Sequence, residues 1–286
     1  MKIFYFGIHK AASTWLIELL YDVSAWMGQS HKHYHSAKIF NHDINKEIAS
    51  EKLDWISYTN AEYETVKKIE GPFKGFHVIR DPRDIVVSSY FSHLETHSDY
   101  MWPELNDYRA ELKSLDINEG IYATMRHLEA MKIDGEPVPI FDCMGNWNYN
   151  NKDILEIRFE DITRNPFIEI PIIFDHLGLL ATSWKSVPNS SIKQPIREAI
   201  SRLKVRKFDG KRETIPLETL LYFIYKHDFY FKSKGRDKGK NDVKSHYRKG
   251  TSGDWKNYFT EEHKKHFKER YGDLLIQLGY EANNDW

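Results

Sequence analysis

Cationic and hydroxyl side chains recur in this sequence where a strand pattern gives way to a helix pattern. Lys10 stands with Ser13 and Thr14 after Gly7, Arg80 stands eight residues before Ser88, and Arg248-Lys249 precedes Gly250 and Gly253. A strand–loop–helix turn points backbone N–H groups and the positive end of a helix at one spot. That arrangement suits an anion, above all a phosphate. Each stretch also has a plainer reading. Ser13 or Thr14 caps an ordinary helix, Arg80 pairs with Asp81 or Asp84 as a structural bridge, and Arg248-Lys249 sits on a charged surface turn. The alternating histidines of His31-Lys-His-Tyr-His35 have no carboxylate or cysteine among them. They read as a solvated loop, or as one working histidine in a cleft, ahead of a metal tract.

The elements that must position these residues follow from periodicity. Ile3 to Phe6 is a short apolar run that fits a buried strand. Trp15, Leu16, Leu19 and Leu20 then fall at helical spacing. Trp55 to Tyr58 reads as a short strand, and Ala61 to Ile69 as an amphipathic segment stopped by Gly71-Pro72. Phe73 to Ile79 is a strong strand. It leads into a helix with Asp81 or Asp84 as cap and Pro82 in the first turn, running to about His97. Glu119 to Lys132 has helical periodicity. Ile154 to Phe159 is a further core strand, followed by a helix from Pro166 to Leu180 that ends around Gly178. From Pro188 to Lys249, Lys and Arg alternate with Gly, Ser and Asp around an aromatic patch, Leu220 to Tyr225 and Phe229 to Phe231. The patch reads as helical core or as part of a lid over a ligand. A closing helix from Phe259 to Tyr280 carries Thr260 at its start and Gly279 at its end.

Composition bounds the function classes. The chain has 286 residues and a formal net charge of −1, so no global field recruits nucleic acid or a membrane. Its one cysteine, Cys143, excludes an internal disulfide and a cysteine-based zinc site. It fits a reducing compartment. A core strand begins at once and no long apolar run follows, so a cytoplasmic protein without leader or membrane span is expected.

Three of these stretches, in order, resemble the sulfotransferases that use 3′-phosphoadenosine 5′-phosphosulfate (PAPS). His9-Lys-Ala-Ala-Ser-Thr-Trp15 is similar to the family's 5′-phosphosulfate loop PKSGTTW, with His for Pro, Ala-Ala for Ser-Gly and Ser for the first Thr. Arg80-Asp-Pro-Arg-Asp-Ile-Val-Val-Ser88 resembles the 3′-phosphate motif RNxxDVxVS. Arg248-Lys-Gly-Thr-Ser-Gly-Asp-Trp-Lys256 resembles RKGxxGDWK, and Phe159-Glu-Asp-Ile-Thr-Arg-Asn-Pro166 resembles YEDMxxNP.

The resemblance implies a three-layer α/β/α fold of the P-loop NTPase kind over residues 1–286. A mainly parallel sheet would carry the site at its carboxyl edge, with 193–247 as lid or acceptor-site segment. It implies PAPS as co-substrate, adenosine 3′,5′-bisphosphate (PAP) as product and no metal. Lys10, Ala11, Ala12, Ser13 and Thr14 would take the 5′ end. Arg80, Ser88, Arg248, Lys249 and Gly250 would take the 3′-phosphate, and Trp15, Ser190 and Ile192 would line the adenine pocket. Lys10 would also stabilise the leaving oxygen.

The general base is open. Asn60, in Tyr58-Thr59-Asn60, stands where cytosolic relatives have the His of a KTH segment, and Asn is no base. His33 is favoured, with His35 and Glu62 as alternates. The acceptor is a small molecule, lipid or glycan bearing a hydroxyl or amine. The dimer motif KxxxTVxxxE would begin at Lys256, but Glu261 and Lys265 replace its Val and Glu, so dimerisation stays open. Two rival readings are an ATP-dependent small-molecule kinase, since the opening loop distantly resembles a Walker A loop, and a module that holds PAP or PAPS without catalysis.

Overall fold

The computed structural model describes residues 1–98, 102, 104–181 and 210–286. Five parallel strands make the central sheet: β1 (Lys2–Gly7), β2 (His31–Tyr34), β3 (Trp55–Thr59), β4 (Phe73–Ile79) and β7 (Ile154–Arg158), in the order β2-β3-β1-β4-β7. Two short strands, β5 (Lys132–Ile133) and β6 (Glu136–Pro137), form a separate antiparallel hairpin around the Gly135 turn. The α/β expectation with a mainly parallel sheet holds.

β1 lies at the centre and is buried on both faces, which is why it reads as an unbroken apolar run. Its side chains alternate between two cores. Ile3 and Tyr5 pack with Trp55, Phe76 and Val78 against the opening helix (Ser13–Trp26) and the helices Pro82–Phe91, Ile117–Glu129, Pro166–His176 and Leu217–His227. Phe4 and Phe6 face the other way, onto Tyr34, Phe40, Ile44, Ile56, Tyr58 and Trp147. Burying Phe4, Phe6 and Tyr5 contributes roughly 1.5–3 kcal/mol per side chain.

The sheet's register brings its carboxyl ends together. Gly7 pairs with Thr59 on one side and Val78 on the other, while Tyr34 pairs with Tyr58 and Ile79 with Arg158. Parallel strands put the following loops on one edge, so residues 8–12, 35, 60, 80 and 159 share that edge.

The structure corrects several expectations. His31 to Tyr34 is an edge strand, not a loop, because its alternating side chains find partners on β3: His31 Nε2 is 2.8 Å from Ser57 Oγ, and His33 Nε2 is 2.9 Å from Thr59 Oγ1. The helix expected to run to His97 stops at Phe91. A π-type turn, Ser92–Thr96, replaces its last part. Leu105–Ser114 and Ile140–Gly145 are further helices that the periodicity did not single out. In the aromatic patch, Leu220, Leu221, Phe223 and Ile224 are plain core, whereas Tyr230 and Phe231 are exposed. Thr260 caps the closing helix Glu261–Gln277, accepting from His263 N while the His263 ring accepts from Thr260 N.

Of the two candidate caps, Asp81 does the capping: its Oδ1 accepts from Arg83 N at 3.0 Å. Its carboxylate also pairs with the Arg83 guanidinium at 2.8 Å, and that guanidinium lies 3.9 Å over the Trp255 ring. Asp84 does something else. It is 1% exposed, and it accepts from Gly253 N at 2.6 Å and from Trp255 N at 2.9 Å. One carboxylate thus ties the Arg80–Ser88 stretch to the Arg248–Lys256 stretch. Asp84→Ala leaves two backbone donors without that acceptor. It is expected to lower stability by about 2–6 kcal/mol, at about 1–3 kcal/mol per orphaned group, in urea unfolding; a loss below about 0.5 kcal/mol, the size of an ordinary surface substitution, would contradict this role.

Candidate functional site

At the carboxyl edge of the sheet lies a cleft of about 360 Å³. Its floor is the turn after β1. Gly7 ends that strand under close quarters: a Cβ there would lie 2.9 Å from Tyr5 Oη and 3.1 Å from both Ser13 Oγ and Thr59 Cγ2. Lys10 (φ 61°) and Ala12 (φ 66°) both adopt the left-handed backbone region, and the helix that follows has no side-chain cap. Left-handed residues placed this way turn successive N–H groups toward one point. The first-turn N–H groups of Ser13, Thr14 and Trp15 have no acceptor within the helix. An anion completes such a turn.

Around that floor the structure gathers most of the anticipated residues. Lys10, Ala12, Ser13, Thr14 and Trp15 line the cleft from the turn. Arg80 and Ser88 line it from β4 and its helix, and Arg248, Lys249 and Gly250 from the segment that Asp84 anchors. Ala11 does not line it. Its side chain is fully buried and its N–H donates to Ile8 O at 3.1 Å. Glu62 is likewise outside the lining, at the start of the short helix Tyr63–Val66. Ser190 and Ile192 lie outside the described residues.

Cations from three separate stretches converge here. Arg80 donates from Nη1 to Lys10 O at 2.7 Å, and its guanidinium stacks 4.0 Å over the Phe159 ring. Its Nε is buried without a partner. The structural-bridge reading of Arg80 therefore fails: Asp81 is held by Arg83, and Asp84 by backbone. Lys10 Nζ donates to Ser92 Oγ at 2.8 Å. Burial first, then the charges of Arg80 and Arg248, pull the Lys10 ammonium down to about 7. Arg248 and Lys249 both pair with Asp254, at 2.6 and 2.5 Å. Burial alone would raise the Asp254 carboxyl, but hydrogen bonds from Lys249, Asn257 and Arg248 hold it below its ordinary value. Gly250 (φ 69°) lies against the Phe229 ring, where an added Cβ would come within 2.6 Å.

His33, His35 and Asn60 also line the cleft. His33 Nε2 lies 2.9 Å from Thr59 Oγ1, whose hydroxyl is also 3.3 Å from Tyr34 O. Burial, with help from His35, lowers the His33 imidazole to about 4, so the ring is neutral at pH 7. His35 Nε2 stands 3.2 Å from Asp134 Oδ2. Asn60 donates from its side-chain amide to His35 O at 3.1 Å.

Several cleft residues have no counterpart in the sequence reading. His9 and Lys10, adjacent on the turn, are matched by His93 and Ser92, adjacent on the π-type turn. His9 Nε2 is 3.0 Å from His93 Nε2. Burial pushes both imidazoles well below their ordinary value. His227, Asp228, Phe229, His246 and Tyr247 form another wall. This wall falls within the 193–247 segment anticipated as lid or acceptor-site segment, with Phe229 in its aromatic patch, but the count of fourteen histidines did not single out His227 or His246. Among the described residues no three His, Cys, Asp or Glu side chains converge as a metal site. No helix of the described residues is long and apolar enough to cross a membrane.

A family model described as Sulfotransferase domain matches residues 1–279. Sulfotransferase 1A1 of Mus musculus is 26% identical over 140 residues, which covers 46% of this chain and 40% of that protein. Flavonol 4′-sulfotransferase of Flaveria chlorifolia is 29% identical over 112 residues, 38% of this chain and 28% of that protein. Both alignments span less than half of the relative. Mouse sulfotransferase SULT7A1 complexed with PAP superposes with a TM-score of 0.56 at 16% identity, covering 96% of this chain and 84% of that one. Retinol dehydratase in complex with androsterone and inactive cofactor PAP gives 0.51 at 15%, covering 96% and 80%. At these identities the two solved structures speak for the fold.

The left-handed Ala12 generates a prediction. A non-glycine residue there costs about 1–2 kcal/mol, offset in part by the ~0.4–1 kcal/mol that glycine loses to unfolded-state freedom. Ala12→Gly is therefore expected to hold or raise stability by up to about 1.6 kcal/mol in urea denaturation, the difference of those two terms. Ala12→Val, β-branched at positive φ, is expected to lower it. The reverse order would show that the turn does not hold this conformation.

Proposed function

We propose, from the premise that this chain belongs to the sulfotransferase family, that it moves a sulfuryl group from PAPS to a hydroxyl or amine of an acceptor and releases PAP. The observation that supports this most is the pair of cationic poles lining one cleft, Lys10 with the turn N–H groups and Arg80 with Ser88, Arg248, Lys249 and Gly250. A nucleotide with phosphosulfate at one end and phosphate at the other asks for two such poles. The buried, unpartnered Arg80 Nε and the uncapped helix after Ala12 both fit anionic oxygens.

In this reading each side chain has one task. Arg80, Ser88 and the Arg248–Gly250 stretch hold the 3′-phosphate. Trp15 flanks the adenine. The N–H groups of residues 12–15 hold the 5′ end. The acceptor's oxygen or nitrogen forms its bond to sulfur as the bridging S–O bond breaks, and the electron pair stays on the phosphate oxygen. Lys10 leaves Ser92 and meets that developing charge. The neutral His33 ring takes the acceptor's proton. His35 is the alternate. Glu62 drops out because it does not reach the cleft.

Calorimetry with PAP, PAPS and ATP tests the donor. Tight PAP binding and weak ATP binding are expected; tight ATP binding with none for PAP would replace this reading with a kinase. Lys10→Ala is expected to cut PAPS turnover by about 10²-fold or more, as loss of one oxyanion donor does, while PAP still binds. His33→Ala should reduce turnover and leave PAP affinity intact; unchanged turnover would retire His33 as the base. An acceptor screen with radiolabelled PAPS identifies the substrate.

Lys10 also predicts a pH dependence. Its folded-state pKa is depressed to about 7, so near neutrality about half the free protein lacks this proton. A bound phosphate favours the ammonium, so PAP binding takes up a proton and weakens as pH rises through 7. Titrations at pH 7 in buffers of different ionisation enthalpy should show net uptake of about half a proton. Zero or negative uptake would show that Lys10 is fully charged beforehand or does not meet the ligand.

A further inference from the structure

The strand order divides the cleft. Lys10 stands on the turn after β1, and the sheet runs β2-β3-β1-β4-β7. Arg80 follows β4 and Phe159 follows β7, so both lie to one side of Lys10. His33 and His35 at the end of β2, with Thr59 and Asn60 at the end of β3, lie to the other side and line the cleft. The 3′-phosphate pole takes the first side, which leaves the second for the acceptor. His9 lines the cleft beside Lys10. His97, just beyond the π-type turn, lines it too, its ring 6.2 Å from that of His9.

The imidazoles on this side are polar but uncharged. Burial pulls His9 well below its ordinary value, His33 down to about 4 and His97 downward as well, and the Lys10 charge adds to the effect at His9 and His97. His9 and His33 each engage one ring nitrogen, with His93 Nε2 at 3.0 Å and Thr59 Oγ1 at 2.9 Å. His97 Nδ1 lies 3.0 Å from Ser98 O. A backbone carbonyl only accepts, so Nδ1 carries the proton and Nε2 is a lone pair. Asn60 donates to His35 O at 3.1 Å, which leaves its own side-chain carbonyl for a donor.

Acceptors differ in what they ask of such a wall. A phenol or a steroid needs apolar surface. Among the described residues, apolar lining comes from Trp15 and Ile17 on the opening helix and from Phe159, Pro166 and Phe229; the turns after β2 and β3 bring none. A protonated amine needs a carboxylate, and Lys10 repels it. Asp228 lines the cleft beside Phe229, where it accepts from Tyr230 N at 2.9 Å, and Asp134, beside His35, accepts from Ser36 Oγ at 2.5 Å. An anionic group would set an oxygen lone pair against that of His97. A sugar hydroxyl both donates and accepts without charge, so it fits neutral imidazoles and an amide.

We infer that the acceptor is an uncharged polyhydroxylated molecule, a sugar or glycoside sulfated on a hydroxyl, and that His97 is a specificity-determining residue whose Nε2 accepts a hydrogen bond from another of its hydroxyls. This rests on the PAPS reading and names the substrate class of that site. The reacting hydroxyl oxygen forms its bond to sulfur as the bridging S–O bond breaks. Its proton passes to His33, and the electron pair of the broken bond stays on the phosphate oxygen of PAP.

The test measures sulfation by the full chain from radiolabelled PAPS, with PAP binding followed by calorimetry. The acceptors are the methyl glycosides of glucose, galactose, mannose and N-acetylglucosamine, the aromatic alcohols 2-naphthol and estradiol, and the amine 2-naphthylamine. The best glycoside is expected to exceed every aromatic alcohol and the amine in kcat/KM by about 10-fold or more, the scale of one hydrogen bond. His97→Phe should raise KM for that glycoside by about 10-fold while kcat and PAP affinity hold, and His97→Gln, whose amide oxygen still accepts, should stay within about threefold of the wild type. An equal loss in both variants, or no change in either, overturns the role of His97. An aromatic alcohol or the amine level with or ahead of the glycosides overturns the inference alone. So does a protein that binds PAP tightly and sulfates no glycoside. Failure of the wild type to bind PAP overturns the PAPS reading and this inference with it. The wild-type ranking needs no variant to fold.

Discussion

Like charges repel, and a cleft that gathers Lys10, Arg80 and Arg248 must be held together against that repulsion. Two buried carboxylates do this work. Asp254 pairs with Arg248 and Lys249, and Asp84 pins the backbone that carries them to the helix after β4. What remains unbalanced shows in Lys10, whose ammonium is pulled down to about 7 by burial and by the two arginines. An anion relieves the strain that the protein itself leaves in place. In the proposed reading, affinity for a multiply charged ligand and a depressed lysine pKa are thus two faces of one arrangement.

The sheet makes that arrangement possible. Five parallel strands deliver their following loops to one edge, so residues far apart in the chain become neighbours without long connections. The polar side chains at this edge are ordered by short bonds to adjacent elements. Two neighbours on the first turn, His9 and Lys10, meet two neighbours on the π-type turn, His93 and Ser92. Such turns recur where a functional side chain must be re-aimed; here a continued α-helix would present residues 92 and 93 at a different angle. The cleft walls divide by chemistry. Lys10, Arg80, Arg248 and Lys249 supply its cations, and Trp15, Phe159 and Phe229 its aromatic surface.

Burial matters more than charge among the histidines. His33 and His227 are both held neutral by burial, and each has a partner at Nε2: Thr59 Oγ1 at 2.9 Å from His33 and Asp22 Oδ2 at 2.7 Å from His227. They differ in location: His33 stands at the carboxyl end of β2 and His227 against the opening helix.

Much was legible in the chain itself. The apolar run before Gly7, the cation and hydroxyls after it, and the repeat of that pattern at Arg80 and Ser88 marked strand, anion turn and helix, because these are local patterns with local causes. The three motifs could be recognised because phosphate binding needs particular residue types at fixed spacing. Partnerships between distant positions were not legible. Nothing in Asp84 itself says that it will accept from Gly253 and Trp255 and not cap its own helix. Nothing in His31 to His35 marks an edge strand, since histidine has little strand preference and Ser57 and Thr59 supply the reason only once β3 lies alongside. Whether Glu62 or His33 enters the cleft depends on which strand end each follows. The physical reason is the same throughout: backbone propensity and motif chemistry act over a few residues, whereas burial, tautomer and charge balance are set by neighbours that only the folded chain brings within hydrogen-bond distance.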